Sequence, residues 1–155
     1  MNNFDEFAAD LRAMVAEADR ELTDLCVRSV QKAVDAGVAT AKSTKKYTDR
    51  TGALTDSITG RVTSSGARSA TGVFEATAPH AIFVDGGTKP HVIRPKNGKY
   101  LVFPGSGGET VFAREVNHPG TKPDGFFERG AEAAERVLEA AVDEGLTRIE
   151  TVMTR

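Results

Sequence analysis

This chain of 155 residues has little of what usually builds redox, membrane or nucleotide-reading sites. Its single cysteine, Cys26, cannot close an intrachain disulfide, and its helical position among apolar neighbours indicates a buried structural thiol. No apolar run approaches a membrane span, and the acidic, polar start lacks the features of a secretory signal. Tryptophan is absent, aromatic residues make up 6% of the chain and the pI is about 5.9. We therefore expect a cytosolic product that does not read nucleic-acid sequence.

The composition is that of a chain with a real core and an uneven distribution of charge. With 39% hydrophobic residues, 155 residues are enough for one domain, 1–155, and too few for two. The net charge of −2 combines acidic ends with a basic middle: residues 36–123 hold 12 bases and 6 acids, whereas 1–35 and 124–155 each hold 8 acids and 4 bases. Such a division suits complementary contacts between neighbours, although solvated helix surfaces would also give acidic ends.

Two long amphipathic helices are predicted at the ends of the chain. Apolar residues recur every three or four positions from Phe4 to Ala33, which predicts a helix over 1–40. Its length exceeds the width of such a domain, so we expect either another subunit over part of the apolar stripe or a bend near Gly37. A second helical pattern follows a Thr121 cap and predicts a helix over 121–153.

Between the helices, a loop at 41–53 precedes a β-rich region over 54–118. Alternating apolar runs separated by Gly and Pro turns predict six strands: 56–63, 72–78, 80–85, 91–94, 99–103 and 110–116. Asn97-Gly98 predicts a hairpin between the fourth and fifth strands, and the glycine-rich run 105–108 predicts a flexible hairpin tip. The fold class is therefore α+β, with an antiparallel sheet and the helices packed on one face of it.

The polar residues of the middle region do not form a recognisable catalytic motif. His80, His91 and His118 stand 11 and 27 residues apart, unlike the close ligand pairs of zinc sites. A small metal-dependent hydrolase that uses these histidines with Asp85 remains an alternative from another functional class. We expect no cofactor and no metal.

Two basic loops provide a second kind of candidate site. Residues 86–108 carry Lys89, Arg94, Lys96 and Lys99 without an acid, and residues 42–50 carry four more bases against Asp49 alone. These loops could meet phosphates or an acidic protein surface, or they could simply protect edge strands from aggregation. A nonspecific DNA-contacting module that depends on Lys89, Lys96 and Lys99 is therefore a further alternative.

Four ordered motifs give the chain a family resemblance. They are Arg50-Thr51-Gly52-Ala53-Leu54-Thr55-Asp56-Ser57-Ile58, Phe83-Val84-Asp85-Gly86-Gly87-Thr88, Ile93-Arg94-Pro95-Lys96 with Lys99-Tyr100-Leu101-Val102-Phe103, and Val116-Asn117-His118-Pro119-Gly120-Thr121. Together they resemble the tail-completion, or head-tail joining, proteins of long-tailed bacteriophages. The chain departs from that pattern where Gly86 follows Asp85 and where Asp124 to Phe127 replace a Pro-Phe pair.

This resemblance implies a non-enzymatic structural protein of the virion neck. Such a protein forms a hexameric ring that joins the head connector to the tail tube or tail terminator, lets genomic DNA pass, and is made and assembled in the cytoplasm of the bacterial host. The expected assembly and partner contacts are Arg50, Thr51, Gly52, Leu54, Asp85, Gly87, Thr88, Lys89, Arg94, Pro95, Lys96, Lys99, His118, Pro119, Gly120 and Thr121. The glycines and prolines among them would shape the loops, and the threonines would bond the local backbone.

Overall fold

The computed structural model describes the backbone of residues 3–153 and the side chains of residues 3–151. Residues 1 and 2 of the predicted first helix lie outside the described residues. The chain forms two compact units: unit 1 extends to Ala78 and resumes at Gly125, and unit 2 comprises Pro79–Asp124. The prediction of a single domain, 1–155, stays a prediction.

Unit 1 is built on two long helices. Helix α1 spans Asn3–Ser43 without interruption, about 60 Å at 1.5 Å per residue, and α4 spans Phe126–Met153. The helix is continuous through Gly37, and the bend offered there as an alternative stays a prediction. A β-carbon there would lie 3.1 Å from the Gly130 carbonyl oxygen of α4, so this glycine permits close packing of the two helices.

The core of unit 1 lies where both helices meet an antiparallel hairpin. After the short helix α2 (Ala53–Ser57), strand β1 (Ile58–Gly66) pairs with β2 (Ser69–Ala76). From α4, Phe127 stacks on Phe74 of β2 at 4.4 Å between ring centroids. The buried apolar residues of this unit are Leu25, Ala33, Val34, Ala41, Leu54, Ile58, Phe126, Ala133 and Ala141.

Unit 2 contains one short helix and two small antiparallel sheets. Helix α3 spans Ala81–Asp85, strand β3 (His91–Ile93) pairs with β6 (Val116–His118), and β4 (Leu101–Pro104) pairs with β5 (Thr110–Ala113). The α+β class is confirmed, with antiparallel strands in both units and, within unit 1, a C-terminal helix that packs against the β1–β2 hairpin. Within residues 3–153 the strands form three two-stranded sheets instead of one.

Several predicted boundaries are wrong for local reasons. The predicted strand 80–85 is helix α3, because its backbone closes helical hydrogen bonds such as Val84 N–H to the His80 carbonyl (3.1 Å). The predicted strand 110–116 is divided into β5 and β6, and the first predicted strand begins at Ile58 because α2 occupies the residues before it.

The Asn97-Gly98 hairpin is also wrong, because β3 and β4 each pair with a different strand. An Asn-Gly turn joins strands that flank it directly, whereas β3 ends at Ile93, before Pro95, and β4 begins only at Leu101. The predicted tip at 105–108 does lie between paired strands, β4 and β5. The hairpin therefore consists of residues 101–104 and 110–113, one strand further along the chain than the Asn-Gly signal predicted.

The last helix begins at Phe126 and not at Thr121. Thr121 forms a β-bridge with Thr88, Asp124 donates its N–H to the Val84 carbonyl, and Gly125 has a φ of +71°. These contacts hold residues 121–124 in a connection without helix, so the capping pattern that predicted an earlier start does not form one.

Candidate partner-contact surfaces

The first motif forms a tight turn in unit 1 that is organised by Asp49. Its carboxylate accepts hydrogen bonds from Gly52 N–H (2.8 Å), from Thr55 N–H (3.2 Å) and from the Thr55 hydroxyl, and Lys45 Nζ lies 3.6 Å away. The Thr55 hydroxyl bond is the main cause that lowers the pKa of Asp49 below its ordinary value, and the two backbone N–H groups and Lys45 act in the same direction. We call residues 49–55 the Asp49 turn.

Around Asp49, the predicted contact residues have different surroundings. Arg50 and Thr51 are exposed, and Gly52 has a φ of +78°, which favours glycine. Leu54 is 3% exposed, so its side chain packs inside unit 1. Sequence reasoning named Arg50 but missed Asp49, although an Asp three residues before Gly52 is a usual turn signal.

In unit 2 the second and fourth motifs meet at Thr88 and Thr121, which we call the threonine bridge. Thr88 N–H donates to the Thr121 carbonyl (3.0 Å), and Thr121 N–H donates to the Thr88 carbonyl (3.1 Å) and to its hydroxyl (3.0 Å). The two hydroxyl oxygens are 3.1 Å apart. Two motifs separated by 33 residues thus form one rigid feature.

Glycines allow the two backbones of the threonine bridge to approach. Gly87 and Gly120 have φ values of +69° and +85°. A β-carbon on Gly87 would lie 2.5 Å from the Thr121 carbonyl oxygen, and one on Gly120 would lie 2.2 Å from the Thr88 carbonyl oxygen. No other residue fits at either position without a backbone shift.

His91 and His118 are cross-strand partners beside this bridge. Their ring centroids are 5.0 Å apart. His91 Nδ1 donates to the Lys89 carbonyl (2.9 Å), and His118 Nδ1 accepts from Gly120 N–H (3.0 Å). Both rings are therefore held by backbone groups of residues next to the bridge, Lys89 and Gly120.

The hydrolase alternative would require these rings to meet His80 and Asp85. Among residues 3–151, no group of three or more His, Cys, Asp or Glu side chains is placed to hold a metal ion. The geometry of the described residues gives that alternative no support beyond the His91–His118 pair.

The basic loop of unit 2 is open to solvent. Lys89, Lys96 and Lys99 are exposed, and none of them pairs with an acid of the described chain. Arg94 does pair with Glu115, at 3.0 Å, in an exposed ion pair of the kind that contributes about 0.2–1 kcal/mol. The three lysines therefore remain available to an external acidic group.

Two apolar surfaces are exposed to solvent, one on the first turns of α1 and one on the β4–β5 hairpin. The first, which we call the apolar stripe, is Phe4, Phe7, Leu11, Met14 and Val15 of α1, and these side chains are between 49% and 76% exposed. The second, which we call the hairpin face, is Tyr100, Val102 and Phe112 of the β4–β5 region. From the sequence, a part of the α1 stripe left for another subunit was one of two explanations for the length of the helix. The sequence could not identify the hairpin face, because strand alternation does not say which side meets solvent.

No helix within residues 3–153 has the length and apolar character needed to cross a bilayer.

Comparison with protein-family models, with curated proteins and with solved structures finds no match to this chain. The partner surfaces must therefore be interpreted from their own chemistry and from the motif resemblance.

Proposed function

We propose that this chain is a structural protein of the neck of a long-tailed bacteriophage, where a closed ring of subunits joins the head connector to the tail. The observation that carries the proposal is the exposed apolar stripe on α1. Large apolar side chains in a helical row are expected to be covered by another protein. The ordered motifs suggest which assembly that protein belongs to.

The threonine bridge and the Asp49 turn support an assembly role in a different way. Both are short loops whose backbone is fixed by several hydrogen bonds, and both leave polar side chains at the surface. Rigid loops lose little conformational entropy when they bind, so they suit repeated contacts between subunits. Head-to-tail contacts of this kind close into a ring when the rotation between subunits allows it.

The proposal is tested by light scattering on the purified protein, alone and mixed with connector and tail-tube proteins from the phage or prophage that encodes it. We expect a closed species with six times the mass of the 16.5 kDa chain, either alone or in the mixture. A strict monomer under every condition, including the mixture, would contradict the ring.

A contact with passing DNA is a second candidate function, favoured by the three exposed lysines of the basic loop. Lys89, Lys96 and Lys99 face solvent without acidic partners among the described residues. Such lysines can neutralise phosphates without reading sequence. Lys89 would make this contact within the ring, and Lys96 and Lys99 would add to it wherever no acidic protein surface covers them.

A further inference from the structure

The apolar stripe on α1 is too large to be an ordinary feature of a monomer surface. Phe4 and Phe7 are 76% and 65% exposed, so together they present roughly 200–350 Å² of aromatic surface, given 150–250 Å² for each ring. Leu11, Met14 and Val15 extend this surface over three turns. Monomers rarely expose contiguous apolar patches beyond a few hundred Å².

The hairpin face is a second uncovered surface with matching properties. Val102 and Phe112 are cross-strand partners on β4 and β5, and they are 61% and 66% exposed. Tyr100 lies just before β4 in the chain and extends the same face. The Arg114 guanidinium is 5.9 Å from the centroid of its ring. Two-stranded hairpins are only marginally stable in water unless something packs on them. The hairpin face therefore also calls for a partner.

The charges around each exposed surface indicate which one the apolar stripe can dock on. Residues 3–18 hold four acids (Asp5, Glu6, Asp10 and Glu17) against Arg12 alone, so two stripes packed together would bring like charges close. The sequence around the hairpin face has an excess of bases instead: Lys96, Lys99 and Arg114 stand against Glu109 and Glu115, and Glu115 already pairs with Arg94. The exposed residues Ile82 and Phe83 of α3 are a poorer match, because Asp85 ends that helix.

The dimensions of the two surfaces are also compatible. From Phe4 to Val15 the stripe extends about 17 Å along the helix. From Tyr100 to Pro104 the hairpin extends about 13 Å, with its partner strand about 4.8 Å to one side. Three turns of helix can therefore lie along one short hairpin.

We infer that the apolar stripe of one subunit docks on the hairpin face of a second copy of this chain, with the acids of α1 opposite Lys96, Lys99 and Arg114. Because the two surfaces differ, the contact is head-to-tail, and each subunit both donates a helix and receives one. The inference rests on the proposed assembly of subunits and names the surfaces through which it occurs.

The contact is tested by disulfide cross-linking between two differently tagged variants in a Cys26→Ser background. One carries Leu11→Cys on the stripe, the other carries Val102→Cys on the hairpin face, and Glu139→Cys on the exposed side of α4 is the matched control. On mild oxidation of the mixture we expect a cross-link between the Leu11→Cys and Val102→Cys chains, and at most a trace with the control.

A charge exchange gives an independent measurement. We expect Asp5→Lys/Glu6→Lys/Asp10→Lys and Lys96→Glu/Lys99→Glu/Arg114→Glu each to weaken self-association, and the chain that combines both sets to regain it at low salt. Phe7→Ala should raise the dissociation constant roughly tenfold to a hundredfold, because it removes a buried aromatic ring. Circular dichroism of each variant checks that the helices are retained.

The outcomes separate this inference from the proposed function. A cross-link only between two Leu11→Cys chains would mean that stripes pair with each other, and it would overturn the inference. Oligomers of unchanged mass without the mixed cross-link would also overturn it, while the ring itself would stand. A strict monomer in light scattering of the same samples, with and without the connector and tail-tube proteins, would overturn both.

Discussion

Asp49 makes a pH-dependent contribution to stability that a single substitution can expose. Its pKa is lowered in the folded chain, first by the Thr55 hydroxyl, so its contribution is complete above the ordinary value of 3.8 and is lost as the pH falls through the lower, folded value. We expect Asp49→Asn to lower the free energy of unfolding at pH 7, with the difference from the wild type shrinking in acid. Urea denaturation across this range measures it, and a difference that does not vary with pH would contradict the role of the charge.

Alanine substitutions at three glycines can separate the energetic cost of a positive φ from the cost of a steric clash with neighbouring backbone. Gly120→Ala places a side chain at a φ of +85° and against the Thr88 carbonyl, so we expect it to lower the free energy of unfolding by more than the roughly 1–3 kcal/mol that such a backbone conformation costs alone. Gly108→Ala, at a φ of +84° in open space, should show only the conformational cost. Gly98→Ala has neither problem and should stay within about 0.5 kcal/mol of the wild type.

Thermal or urea denaturation of these three variants ranks the two effects. Equal losses for Gly120→Ala and Gly108→Ala would mean that the close approach of the two motifs is not important to stability.

Sequence reasoning assigned loop-shaping roles to Gly52, Gly87 and Gly120, and all three have positive φ values. It could not foresee that Gly87 and Gly120 face each other's segments, because that pairing depends on residues 33 positions apart.

At the scale of elements, α1 contains a core half and an exposed half. Leu25 is 8% exposed, whereas Leu11 on the same helix is 49% exposed. We expect Leu25→Ala to destabilise the chain by about 2–5 kcal/mol, as buried leucines do, and Leu11→Ala to have little effect on a dilute sample. Chemical denaturation at low protein concentration compares the pair, and equal losses would mean that the N-terminal part of α1 is already packed within one chain.

The long elements followed from the sequence, and the short ones did not. The three-to-four periodicity of α1 and α4 persists over many turns, so a few irregular positions do not obscure it. Helix α3 has only five residues of strand-like composition, and local helical hydrogen bonds override that propensity. The pairing of β3 with β6, and of β4 with β5, joins segments by register, and neither the apolar alternation nor the Asn97-Gly98 signal records which strands meet.

For the whole molecule, the proposed contact with DNA predicts that binding depends on salt. If Lys89, Lys96 and Lys99 each neutralise one phosphate, their replacement by alanine should reduce the slope of log affinity against log salt by about 0.9 per lysine on duplex DNA. Fluorescence anisotropy with a labelled duplex of arbitrary sequence measures this slope, and Arg61→Ala, on the β1–β2 hairpin, is the control. Binding that does not respond to salt, or no binding by the wild type, would contradict the proposed contact with DNA.

The role that we propose for this chain is to join the phage head to the tail. The most direct test inactivates its gene in the phage or prophage that encodes it and examines the lysate by electron microscopy, with a copy supplied in trans as the control. We expect DNA-filled heads and finished tails that remain separate, and joined particles once the copy is supplied. Intact, infectious virions without the protein would contradict it.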